Sequence, residues 1–110
     1  IILSQCVIYL ATSPKSNTSY MAIGKAQQMV QDTGSLQVPL PLRNAASKLM
    51  KDLDYGKGYQ YAHDYALNFA AQEFLPQEIS QTKVYEPGQN PKEDAIRSFL
   101  KQRWKEKYGY

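Results

Sequence analysis

The sequence predicts an all-α fold: one compact domain of about five helices joined by long ordered loops. Three observations predict it. Apolar residues recur at spacings of three and four in several segments, helix-boundary residues cluster at Pro14, Gly34 and Asn90-Pro91, and alternation is confined to one weak stretch at Lys83-Val84-Tyr85.

In the first segment Ile2, Leu3, Cys6, Val7 and Leu10 share helical spacing, and Thr12-Ser13-Pro14 ends the run because the residue before proline avoids helical dihedrals. The apolar start resembles part of a signal peptide, but no basic residues precede it and it is too short to span a bilayer. It reads as a helix entered part-way, which together with the missing initiator methionine fits a piece of a longer chain. Lys15 to Ser19 supply N-caps for a second helix, with Tyr20, Ile23, Gln27 and Val30 along one face and Gly34 closing it. Val38-Pro39-Leu40-Pro41 suits an extended connector that places Pro41 at the start of a third helix, with Leu42, Ala45, Ala46, Leu49 and Leu53 as its buried face.

The stretch Tyr55-Gly56-Lys57-Gly58-Tyr59-Gln60-Tyr61 is too rich in glycine for a helix and too aromatic for a flexible linker. It reads as an ordered loop whose rings close the core. A fourth helix is expected from His63 or Asp64 to Phe74, ended by Pro76. After a loop or one short strand between Pro76 and Pro91, the last helix has the fullest signature: Asn90 as N-cap, Pro91 at the first position, Glu93 for a capping box, and an aromatic stripe of Ile96, Phe99, Leu100, Trp104 and Tyr108.

A chain of 110 residues, 43% hydrophobic and 21% charged, is an ordinary globular composition with room for one modest core. Nine tyrosines are the one excess, and their amphipathic rings favour interfaces. Cys6 is alone, which excludes an internal disulfide and the paired spacings of zinc sites and makes a reduced, cytoplasmic setting the default. The net charge of +3 is local: basic and acidic residues cancel seven against seven up to residue 90, and stand six against three beyond it.

No residue pattern specifies catalysis, a metal or a cofactor. Gly24-Lys25-Ala26 and Gly56-Lys57-Gly58 lack the Lys-Ser/Thr ending that a phosphate-binding loop needs, so the chain is expected neither to bind nor to hydrolyse ATP. Calorimetry with MgATP checks this, and saturable binding would contradict it. His63-Asp64 could form a catalytic pair, but capping and loop anchoring are the commoner fate of such residues. The tyrosines at 55, 59, 61 and 65 could stack on nucleobases, yet no basic groove residues interleave with them, which favours packing. Arg97, Lys101 and Lys105 form a row on the last helix and, with Arg103, are the candidate contacts for nucleic-acid phosphates.

Several ordered motifs run through the chain: Pro14-Lys15-Ser16-Asn17 with Tyr20, Val38-Pro39 with Leu42-Arg43-Asn44-Ala45, and Lys48-Leu49-Met50-Lys51. They continue as Tyr55-Gly56-Lys57-Gly58-Tyr59, Tyr61, His63-Asp64-Tyr65, Phe74-Leu75-Pro76 and Tyr85-Glu86-Pro87. The set resembles the C-terminal domain of the RarA (MgsA) family of AAA+ ATPases, related to the Werner helicase-interacting protein and to clamp loaders. Ala62 stands where that family often has proline, and Ala66-Leu67-Asn68 replaces a glycine- or proline-containing turn, which favours a continuous helix there. The resemblance implies that residues 1–110 are a collar-like domain that holds a homotetramer, with the ATP- and magnesium-binding motor and its lid upstream. It further implies a parent that acts at replication forks, in recombination and repair, with DNA and single-stranded DNA-binding protein as partners and the nucleoid as its location.

Overall fold

The structure, a computed structural model, describes residues 1–110 and is all-α, with no strand. Four α-helices, α1 (Ile2–Thr12), α2 (Thr18–Thr33), α3 (Lys48–Asp52) and α4 (Pro91–Trp104), are joined by loops carrying four single 3₁₀ turns. The molecule extends 52 × 35 × 32 Å, and its core is shallow: Ala70, Pro87 and Glu93 are its buried residues.

The helix boundaries of α1, α2 and α4 follow the chain's own punctuation. Ser13, held extended before Pro14, ends α1; Gly34, at φ 67°, ends α2. At α4 the Asn90 side chain accepts the Glu93 amide at 3.0 Å and Pro91 occupies the first turn, as its sequence signature predicts.

The expected third helix is shortened to α3. Leu40–Leu42 forms a 3₁₀ turn, then Arg43 goes extended as its Nε donates to Val38 O at 2.6 Å, so the chain cannot continue helical. The helix restarts where Ser47 caps it by accepting the Met50 amide at 3.2 Å. Leu49 and Leu53, expected to face the core, are mostly exposed.

The expected fourth helix does not form. Residues Ala62–Asp64 and Ala66–Asn68 are 3₁₀ turns, and the chain then runs extended through Phe69. Tertiary partners override local propensity here. The Gln72 side chain bridges the Gln60 backbone, accepting its amide at 3.3 Å and donating to its carbonyl at 3.0 Å, while Phe69 packs edge-on against Trp104 with centroids 4.8 Å apart. Leu67 takes the turn at φ 59°, a left-handed conformation that costs a branched side chain about 1–2 kcal/mol. Because Leu67 is 71% exposed, little packing is lost by removing it. Leu67→Gly is therefore expected to raise the unfolding free energy by roughly 0.5 kcal/mol after glycine's own entropic cost, measured by urea denaturation.

The core lies at the end of α4, where Trp104 gathers Phe69, Phe74 and Tyr108 in edge-to-face contacts with centroids 4.8, 6.4 and 4.9 Å away. Lys107 lies over Trp104 and Tyr108 and pairs with Glu73 at 3.2 Å. Glu73 in turn accepts the amides of Phe74, Leu75 and Gln81, closing the loop that carries Phe74-Leu75-Pro76.

Candidate functional site

Three neighbourhoods collect the residues that the sequence singles out. The first joins the start of α2 to the start of α4. Ser16 and Thr18 donate their hydroxyls to one oxygen of Glu93, at 2.7 and 2.6 Å, across more than seventy residues of sequence. Glu93 is 7% exposed, and its second oxygen lies against Gly88, where an added Cβ would collide with it. The Thr18 and Ser16 hydroxyls outweigh the burial that would raise it and hold the Glu93 carboxyl below its usual value. Arg97 completes the joint: its guanidinium donates to Pro87 O at 2.6 Å, to Gly88 O at 2.9 Å and to Asp94 at 2.6 Å. Of the Pro14-Lys15-Ser16-Asn17 motif, Ser16 makes the joint, Asn17 precedes α2 with its carbonyl accepting the Met21 amide, and Lys15 is exposed.

The second neighbourhood is a cavity of about 510 Å³ lined by Leu42, Arg43, Asn44, Gly56, Tyr59 and Phe74, together with Pro41 and Ala45. Motif residues from three separate stretches meet here. Arg43 is spent on structure, donating to Val38 O and to Gln37 Oε1 at 3.0 Å with its guanidinium 5.1 Å from the Tyr55 ring centroid. Gly56, at φ 75°, passes so close to Arg43 O that a Cβ would sit 3.3 Å away. Pro39 precedes the 3₁₀ turn, Gly58 turns at φ 79°, and Lys48 opens α3 in solvent. The aromatic loop, however, does not seal the core as expected: Tyr59, Tyr61 and Tyr65 are 52%, 54% and 45% exposed. His63 and Asp64 are also exposed, with His63 resting on Tyr61 at 5.0 Å. The loop is pinned by its backbone, so its rings are left at the surface.

The third neighbourhood is α2 itself. Its inward residues are Ala22, Ala26 and Met29, each half-buried, while the larger stripe of Tyr20, Ile23, Gln27 and Val30 faces outward. Tyr20, Ile23 and Val30 are 75%, 55% and 66% exposed. Beside α2 runs an apolar groove of about 620 Å³ lined by residues that include Met29, Val30, Leu36, Leu75, Ile79 and Val84.

The basic residues of α4 do not act as one row. Arg97 is held in the joint, Arg103 stacks over the Phe99 ring at 3.7 Å, and Lys101 and Lys105 stand in solvent. No group of three or more His, Cys, Asp or Glu side chains is placed to share a metal ion, and no helix is long and apolar enough to cross a membrane.

Nothing in the sequence pointed to Gly88 or Glu73, and Thr18 was legible only as one candidate N-cap of α2. Glu93 was legible only as a local capping residue, because nothing in Asn90-Pro91-Lys92-Glu93 announces a partner at Ser16.

By class, then, this is a small all-helical domain whose motif residues serve joints and surfaces. The family model described as "MgsA AAA+ ATPase C terminal" matches residues 1–104, and the chain belongs to that family. Replication-associated recombination protein A of Coxiella burnetii is 49% identical over 86 residues, covering 77% of this chain and 20% of that protein. The protein of the same name from Escherichia coli K12 is 45% identical over 86 residues, 77% of this chain and 19% of its own length. ATPase WRNIP1 of Dictyostelium discoideum is 36% identical over 83 residues, 74% of this chain and 10% of that protein. The chain thus spans about a fifth of the bacterial relatives and a tenth of the Dictyostelium one.

Proposed function

We propose that this chain is a non-catalytic assembly domain that holds copies of an AAA+ ATPase together, with four copies as the stoichiometry the family resemblance implies. The parent's work would lie in replication-fork maintenance, recombination and repair, in keeping with the names of the bacterial relatives. One observation carries the reading: α2 turns its larger apolar stripe outward and its alanines inward. A helix that presents Tyr20, Ile23 and Val30 to water gains by covering them, and exposed aromatic and aliphatic anchors are what interfaces are built around. The exposed rings of Tyr59 and Tyr61 add to the same surplus.

A DNA-contacting role through α4 has less to draw on. With Arg97 committed to Pro87 and Gly88, three of the four candidate contacts, Lys101, Arg103 and Lys105, remain, too few for binding that survives physiological salt.

Light scattering and sedimentation on the whole protein test the assembly reading. Wild type is expected to associate with concentration, and Ile23→Glu combined with Val30→Glu to weaken association at least tenfold. Neutralising Lys101, Arg103 and Lys105 is expected to leave it unchanged. A monomer at every concentration would refute the proposal, and so would an assembly indifferent to the α2 pair as regards the surface named.

A further inference from the structure

Residues Lys83-Val84-Tyr85-Glu86-Pro87 run without helix, turn or bend between the 3₁₀ turn that ends at Ile79 and the start of α4. Their backbone groups are used on one side only. In a straight chain the carbonyls of alternate residues point the same way. Those of Lys83, Tyr85 and Pro87 are each held by a side chain from a different place: Lys25 of α2, Tyr110 at 3.1 Å and Arg97 of α4 at 2.6 Å. Val84 and Glu86 point the other way, and neither their amides nor their carbonyls have a partner within the chain.

The segment is thus an edge strand without a sheet. On one side, side chains stand where a neighbouring strand would lie; the other side offers two residues with free donors and acceptors. Backbone polar groups require partners, and an unpaired edge is a template for another extended chain.

Two features select a second copy as that chain. The free residues stand symmetrically about Tyr85, so an antiparallel pair centred there puts Val84 of each copy opposite Glu86 of the other, and each such pair exchanges both of its backbone hydrogen bonds. Tyr85 falls at the intervening position, where its carbonyl is not needed between the strands and is already given to Tyr110. No like charges face each other directly, because Glu86 meets Val84 and keeps the Lys83 of its own chain. The edge is also continuous with the outward stripe of α2: one groove of about 690 Å³ is lined by Tyr20, Ile23 and Gln27 together with Lys83, Val84 and Glu86.

We infer that Val84-Tyr85-Glu86 is a pairing edge through which two copies of this chain join by antiparallel strand addition about a two-fold axis. The inference rests on the assembly reading above and names the backbone contact within it.

Proline and alanine at Glu86, compared in the whole protein, test it. The Glu86 amide donates to nothing within the chain, so Glu86→Pro removes a donor that only a second copy uses. Glu86→Ala removes the same side chain, and with it the Lys83 pair, but keeps the amide. In sedimentation, Glu86→Pro is expected to weaken association by about tenfold and Glu86→Ala by less than about twofold. Val84→Pro, at the other free amide, is expected to repeat the proline result, and it decides the matter if circular dichroism shows Glu86→Pro to be unfolded. Association that responds equally to proline and alanine, or to neither, would overturn the inference and leave the assembly reading in place; a monomer at every concentration would refute both. Benzoylphenylalanine at Glu86 is expected to give a product of twice the chain mass joined to residues 82–87 of the second copy. A product of single-chain mass would show that the same polypeptide covers the edge, and would overturn the inference as well.

Discussion

Trp104→Ala is expected to lower the unfolding free energy by about 3 kcal/mol, the low end of the range for removing a large aromatic from a core. The indole is half-buried, which argues for the low end, but it is the one ring that touches three others. Each edge-to-face pair is worth about 0.5–1.5 kcal/mol beyond the area it covers. Its loss also unseats Lys107, which lies over the indole while pairing with Glu73, and Glu73 caps the loop amides of Leu75 and Gln81. Trp104→Phe keeps one ring in place and should recover roughly half of the loss. Urea denaturation followed by tyrosine fluorescence and circular dichroism measures both variants. A change within 0.5 kcal/mol for the alanine variant would mean that the rings pack elsewhere.

How far the sequence announced this fold depended on whether the deciding contact was local. The last helix was legible because Asn90 and Pro91 act within one turn and their cap forms as the spacing predicts, whereas the other half of the expected capping box does not form: the Glu93 carboxylate is taken by Ser16 and Thr18. The ends of α1 and α2 were legible for the same reason, through Pro14 and Gly34. The segment after His63 was not: its helical spacing is genuine, but Gln72 reaches back to Gln60 and Phe69 reaches forward to Trp104, and neither reach leaves a local trace. The direction of α2 was not legible, because periodicity reports that a helix has two faces without saying which one the domain keeps. Here the small side chains of Ala22 and Ala26 let the rest of the domain approach, and the larger stripe is left outside. Of the motif residues singled out in the sequence, the cavity brings Leu42, Arg43, Asn44, Gly56 and Tyr59 together. Their closeness could not be read from positions up to seventeen residues apart.

Gly88→Ala should be nearly as damaging as loss of the indole, although it adds only a methyl group. Gly88 has no need of a left-handed backbone; its constraint is the carboxylate of Glu93, which occupies the space a Cβ would take, with the Thr18 methyl also close by. Overpacking of this kind costs about 1–3 kcal/mol, and here the displaced group is the acceptor for both Ser16 and Thr18. The joint between α2 and α4 should therefore loosen in the variant, and amide exchange in the first turns of both helices should accelerate while the aromatic core at Trp104 stays protected. Acid is expected to reach the same joint without mutation. The Glu93 carboxyl is held below its usual value of 4.5 chiefly by Thr18 and Ser16. For Glu73, burial acts to raise the value, but the Leu75 amide, Lys107 and the Gln81 amide outweigh it and hold it below 4.5 too. Both groups bind a proton more tightly in the unfolded chain, so their stabilisation is complete above pH 4.5 and is lost as the pH falls through their folded values. In Glu93→Gln the part of this acid dependence that belongs to the joint should disappear, so its stability should fall less steeply than that of wild type below pH 4.5. Thermal unfolding of both proteins between pH 3 and pH 7 decides it, and parallel profiles would show that the carboxylate of Glu93 is not what the two hydroxyls hold.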